Sequence, residues 1–306
     1  MASPDVLPER AAWEADVERL WAARPSRLGD ALHELSRNKL ALGGSAIAAL
    51  FTLLAVIGPA LAPYDYARQT LSNTLLPPLS RGHLLGTDEL GRDLLSRLLT
   101  GVRISMAIGI GTTAIALSIG TVAGMLAGYY RGWVDRVLNG IVELVWGFPL
   151  ILIAVLLIGA IGPGLVGVVL AVGFVNWAGF ARIVRGDVLA LREKDFVAAA
   201  RALGKGDLTI MFRHLLPNVL GSALVMGSYY TAIAIIAEAG LSFIGMGAQP
   251  PLPSLGQMIS AGSGYMLEDH WISTIPGLVI VLLVMGLNTL GDGLRDVLDP
   301  RLKGSV

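Results

Sequence analysis

Cysteine is absent from the 306 residues, which excludes disulfides, thiolate metal sites and a cysteine nucleophile. Charge is scarce as well. Asp, Glu, Lys and Arg make up 15% of the chain against 54% hydrophobic residues. A water-soluble domain carries roughly 25% charged residues, so this chain cannot cover a water-facing surface in the usual way. Its 23 basic and 23 acidic side chains cancel, which leaves no global basic surface for nucleic acid. His33, His83, His214 and His270 lie far apart, with no HxxH or HExxH spacing, and no metal site is expected. There is no P-loop pattern GxxxxGK(S/T), so ATP hydrolysis by that route is excluded. No clustered histidine, Ser-His-Asp or paired-carboxylate constellation supports an enzyme.

What is present is length in apolar runs and an excess of glycine, 38 residues, which suits helices whose backbones approach closely in lipid. About 20 apolar residues suffice to cross a bilayer as a helix. Six stretches qualify: Leu42–Ala62, Ser105–Tyr129, Val137–Ile161, Leu165–Ile183, Val219–Ile244 and Ile272–Leu290. No alternating strand signal is present, which excludes a β-barrel. Residues 1–40 hold Asp5, Glu9, Glu14, Asp16 and Glu18 without an apolar core, unlike a cleaved signal. Only Arg68, Arg81, Arg92, Arg97 and Arg103 fall in the segments facing away from the N-terminus. The positive-inside rule therefore puts both termini in the cytoplasm. The expected fold is an all-α polytopic membrane protein with six transmembrane helices.

The expected organisation is a cytoplasmic segment 1–41, a first helix 42–62, an extracytoplasmic loop 63–104, a five-helix core 105–291 and a cytoplasmic tail 292–306. Trp13, Val17, Leu20 and Trp21 recur at helical spacing in the first segment, which reads either as an amphipathic helix on the membrane or as a solvated helix packed on the protein.

The cytoplasmic loop 184–218 is too long to be a mere connection. Helix formers run from Asp187 to Leu203, Gly204-Lys205-Gly206 stops them, and Asp207 can cap a second short helix ending at Pro217. Ala198, Ala199 and Ala200 offer a narrow ridge, with Phe196 and Leu203 as apolar anchors. The hairpin is either a docking element for another protein or a surface turn. Asp88, Arg92 and Asp93 lie within about one turn of each other, where opposite charges pair. They either meet another protein at the outer mouth or brace their own loop.

Gly120, Gly124 and Gly128 form a small-residue face on the second span, for an internal helix or a partner. Pro149 and Pro276 can kink their helices. Glu238 either lines a pathway or fixes a turn, and Asn176 and Trp177 either face that pathway or bond across helices. Pro250, Pro251 and Pro253 stiffen an outer loop, and Leu255–Ile259 reads as a re-entrant piece.

Four segments carry a family resemblance. Asp195-Phe196-Val197-Ala198-Ala199-Ala200-Arg201-Ala202-Leu203-Gly204, followed by Phe212 to Asn218, resembles the EAA loop of type I ABC importer permeases. Ala198 stands where that motif has its glutamate, with Glu193 and Asp195 nearby. Gly86-Thr87-Asp88-Glu89-Leu90-Gly91-Arg92-Asp93 is similar to the segment before the second span in the C-type permease of dipeptide, oligopeptide and nickel importers. Glu238 to Gly247, then Pro250 to Gly256, resembles its outer signature, with Leu255 where Trp is usual. Asn288 to Arg301 resembles its C-terminal ending. The likeness covers residues 35–301.

The resemblance implies the type I ABC importer permease fold and a complex with four kinds of partner. These are a second, B-type permease, two ABC ATPase subunits, an extracytoplasmic substrate-binding protein and surrounding membrane lipid. ATP and Mg would sit on the ATPase subunits, with no cofactor on this chain and no nucleic acid. Asp195, Phe196, Ala198, Ala199, Ala200, Arg201, Leu203, Gly204, Asp207 and Pro217 would form the ATPase-coupling loop. Glu238, Asn176 and Trp177 would serve as pathway or gate, and Asp88, Arg92, Asp93, Pro250 and Pro251 as extracytoplasmic contacts. The implied substrate is a di- or oligopeptide, with nickel chelates and glutathione-like peptides as alternatives. A self-contained channel or secondary transporter would need an internal repeat or ion-coupling sites, and the chain displays neither pattern.

Overall fold

The computed structural model describes residues 39–298, so the N-terminal Trp13–Trp21 pattern and the tail beyond 298 lie outside the described residues. Nine helices form among those described. They are α1 (Lys39–Leu61), α2 (Leu94–Tyr130), α3 (Gly132–Trp146), α4 (Leu150–Ile161), α5 (Leu165–Leu191), α6 (Asp195–Ala202), α7 (Asp207–Phe243), α8 (Leu255–Gly262) and α9 (Trp271–Leu298).

Five of these are long and apolar enough to span a membrane: α1, α2, α5, α7 and α9. The expected third span is instead two short helices, α3 and α4, bent by 94°. Pro149 sits at the break as the residue before α4, where its missing N–H leaves no ladder bond unsatisfied.

The glycine face decides what that bent pair does. Gly120 lies against the backbone of Trp177, Gly124 against that of Ala181 and Gly128 against that of Arg185, so close that an added Cβ would collide at each. Both series ascend together, so α2 and α5 are parallel. The chain between them must therefore return across the same thickness. Asp135 of α3 pairs with Arg185 at one end, and Ile158 of α4 packs with Val168 and Ile108 at the other. The bent pair is thus one broken span, completing six.

Similar contacts orient the remaining helices. Ser105, Thr113 and their neighbours on α2 meet Glu238 and Thr231 on α7 in descending order, so α7 is antiparallel to α2. Gly44 meets Thr289 and Gly286 meets Ile47, so α1 and α9 are antiparallel too. Lys39, Leu298 and α6 consequently share one end of the bundle, while the 62–93 and 244–270 segments share the other.

Two boundaries differ from the sequence reading. α2 begins at Leu94, well before Ser105, because Asp93 caps it and Arg97 is buried there; an apolar-run criterion stops at such charges. Asp207 opens not a short helix ending at Pro217 but the whole of α7. Ile210–Leu215 is a π-helical turn. The wider turn leaves room for the Pro217 ring, which would clash with the carbonyl one turn earlier in a regular α-helix.

Candidate functional site

At the α6 end, Val197 and Ala200 face inward and pack with Val184, Val188, Ile210, Met211 and Leu215. Of the expected alanine ridge, Ala198 and Ala199 are exposed while Ala200 is core. Phe196 is 41% exposed and Leu203 77% exposed. Leu208, which the sequence reading had not singled out, and Phe212 of the loop motif are also exposed. Asp195, Arg201 and Pro217 are exposed as well. Gly204 has φ +71, the left-handed conformation that glycine adopts without Cβ strain, and it turns the chain from α6 to α7. Among the described residues, none covers the resulting apolar surface.

The hairpin is tied to the membrane bundle by polar contacts. The Tyr129 hydroxyl, at the end of α2, donates to Asp207 Oδ1 at 2.7 Å. Arg201 lies over the Tyr129 ring, 5.6 Å from its centroid. Arg192 Nη1 donates to the Tyr129 carbonyl at 2.5 Å. Arg185 makes a two-pronged pair with Asp135, at 2.5 and 2.8 Å, which joins α5 to α3. Ser222 of α7 bonds to Asp187 of α5. Movement of the hairpin is thereby linked to four of the helices behind it.

The opposite end holds a continuous polar frame. Asp88 accepts from Arg92 Nε at 2.6 Å and forms an ion pair with Arg97, whose Nε lies 3.3 Å away. Glu89 accepts from Arg92 Nη2 at 2.8 Å. Asp93 accepts from His83 Nδ1 at 2.8 Å and caps α2 by accepting from the Ser96 N–H at 2.8 Å. Arg97 Nη2 then reaches Gln257 of α8 at 3.1 Å. Ser254 caps α8 and donates to Ser242 Oγ at 3.2 Å, and Ser242 donates to Glu238 Oε1 at 2.5 Å. Ser105 donates to Glu238 Oε2 at 3.3 Å.

Asp88, Arg92 and Asp93 are therefore not surface contacts at the mouth. All three are buried, because a charge withdrawn from water needs a partner and each finds one inside the loop. Glu238 is fully buried and fixes the turn that leads to α8 instead of facing an open path. Trp177 is enclosed beside Val142 and Ala181, so it packs α5 onto α3. Pro250 and Pro251 are exposed on the outer loop, joined by a cis peptide bond.

Asn176 has a different setting. It lines a cleft of about 220 Å³ between the α3–α4 break, α5 and α7, with Trp146, Phe148, Gly179 and Tyr230. Its Nδ2 is buried without a hydrogen-bond partner among the described residues. Among the described residues no group of three or more His, Asp or Glu is placed to hold a metal ion.

Comparison with known proteins fits this geometry. Residues 120–304 match the binding-protein-dependent transport system inner membrane component family. Residues 26–78 match the N-terminal TM domain of oligopeptide transport permease C. The dipeptide transport system permease DppC of Alkalihalophilus pseudofirmus is 39% identical over 274 residues, 90% of each chain. The glutathione transport system permease GsiD of Pectobacterium atrosepticum is 41% identical over 87% of this chain and 89% of its own. The di/tripeptide permease DppC of Pseudomonas aeruginosa is 38% identical over 92% and 95%. Among solved structures, the MetNI methionine ABC transporter, in an inward-facing conformation, has a chain that aligns with TM-score 0.55 at 23% identity. The alignment covers 66% of this chain and 96% of that one, a likeness of fold.

Proposed function

The chain belongs to the inner-membrane permeases of binding-protein-dependent ABC importers, in the branch of the oligopeptide permease C subunit, and from that membership we propose how it works. It is a multi-pass inner-membrane permease, of a family whose permeases have no cofactor of their own and whose ATPase is a separate subunit.

In this proposal the α6 end faces the cytoplasm, as the Arg and Lys residues gathered there favour. The exposed apolar face of Phe196, Leu203, Leu208 and Phe212 docks into a groove of an ABC ATPase subunit, one of two that hold ATP and Mg. Closure of the ATPases on ATP pushes the hairpin. The Tyr129–Asp207 and Arg192–Tyr129 contacts carry the push to α2 and α5. A second, B-type permease completes the pathway, and a substrate-binding protein delivers cargo at the Asp88 end, where Pro250 and Pro251 are exposed. The cargo is a short peptide, as for the related dipeptide, glutathione and di/tripeptide permeases.

The observation that carries this reading is the uncovered apolar face on a rigidly braced hairpin. Affinity purification of the tagged chain from native membranes in mild detergent tests it. ATPase subunits and a second six-span permease should come with the chain. Isolation of the chain alone from membranes whose other complexes remain intact would contradict it.

A further inference from the structure

We infer that the cleft at the α3–α4 break is a substrate subsite, in which Asn176 holds one peptide group and the aromatic walls take the adjoining side chain. The inference rests on the peptide-permease reading above.

Asn176 is 5% exposed, and its Nδ2 has no acceptor among the described residues. Buried polar atoms in folded proteins nearly always find a partner. A carboxamide offers both a donor and an acceptor, the complement of a peptide bond. The walls beside it are Trp146, Phe148 and Tyr230, and no charged side chain is among the lining residues. Trp146 and Phe148 are each more than half exposed at the break. Large aromatic surface thus remains available at the break, where the two helices turn.

Size narrows the occupant. At about 220 Å³ the cleft falls below the roughly 300–1,000 Å³ of pockets that enclose a whole drug-sized ligand. It suits one residue of a peptide, with the remainder lying on the open side. Gly179 sets the depth: a Cβ there would collide with the Tyr230 hydroxyl. Arg182 flanks the wall, its guanidinium 3.9 Å from the Trp146 ring centroid, which holds the indole in place. The subsite therefore favours apolar and aromatic side chains over cationic ones.

The test uses the complete importer, with its binding protein, in ATP-loaded proteoliposomes, and follows uptake of dialanine, diphenylalanine and dilysine. Asn176→Leu should lower uptake of all three by about tenfold, the scale of one lost buried hydrogen bond. Trp146→Ala should lower diphenylalanine uptake relative to dialanine by about tenfold, the scale of a lost pocket contact. A second measurement covers misfolding of either variant. Because the chain has no cysteine, Trp146→Cys provides a unique thiol, whose labelling diphenylalanine should slow during turnover. Unchanged rates and ranking in both variants would overturn the subsite. So would a thiol at position 146 that is unreactive with or without peptide in the assembled importer, since a neighbouring subunit would then fill the cleft. A parent importer that hydrolyses ATP but accumulates no peptide would instead overturn the peptide reading itself.

Discussion

Arg97 on α2 and Gln257 on α8 are 160 positions apart in sequence, and their side chains meet at 3.1 Å. That bond closes a polar frame running from His83 and Asp88 to Glu238. Arg97 is 1% exposed, so its charge depends on Asp88 for compensation, while Gln257 satisfies one of its N–H donors. Arg97→Met leaves Asp88 and Glu89 short of a cation. Breaking a buried pair from one side costs about 3–5 kcal/mol. The variant should lose assembled importer on heating at lower temperature, read by size-exclusion chromatography. Adding Asp88→Asn should recover part of the loss, because no charge is then left unpaired on that side.

The glycine ladder between α2 and α5 makes a graded prediction. At Gly124 a methyl group would run into the Ala181 carbonyl and the Val184 side chain. Gly124→Ala should destabilise by about 1–3 kcal/mol, the usual range for overpacking. Gly140, in α3, has open space around it. Gly140→Ala should be neutral or stabilising by about 0.5–1 kcal/mol, since alanine loses less backbone freedom on folding. Thermal unfolding of the two variants in one detergent checks the contrast, and equal effects would count against parallel contact of these helices.

Docking and folding separate at the hairpin. Phe196 and Leu203 are exposed, so Phe196→Asp with Leu203→Asp should leave the isolated permease folded and abolish co-purification of the ATPase. Gly204→Val acts differently, by forcing a β-branched residue to φ +71. It costs about 1–2 kcal/mol in conformational strain and misdirects α6. Both should lose ATPase binding, and only the second should also change susceptibility of the hairpin to proteolysis.

Tyr129→Phe removes the hydroxyl that donates to Asp207 and keeps the ring under Arg201. A lost hydrogen bond of this kind is worth about 1 kcal/mol. ATPase subunits should still bind, while peptide transported per ATP hydrolysed should fall. Unchanged coupling would remove Tyr129 from the path of transmission.

Periodic and composition-driven features were legible in the sequence: the apolar spans, the α6 hairpin with its Gly204 turn, and the small face of Gly120, Gly124 and Gly128. Each depends on neighbours close in the chain or on a single helix face. Features that depend on distant residues were not. Asp88, Arg92 and Asp93 look like solvent-facing charges until Arg97 and His83 are seen to bury with them. Glu238 reads as either a pathway carboxylate or a turn-fixing one until Ser105 and Ser242 are seen to close on it. Ala200 cannot be told from Ala198 without knowing which face of α6 meets Ile210 and Leu215. Pro217 read as a helix stop because the π turn before it has no residue signature. Tyr230, on the far wall of the Asn176 cleft, carried no signal at all.

The most direct test of the central claim is ATP-driven peptide accumulation in proteoliposomes holding this chain, its partner permease, both ATPases and the binding protein. Uptake should require internal ATP and external binding protein, and it should disappear with Phe196→Asp and Leu203→Asp together. Peptide flux that continues at the same rate without ATP, or in that double variant, would contradict a permease driven through its α6 hairpin.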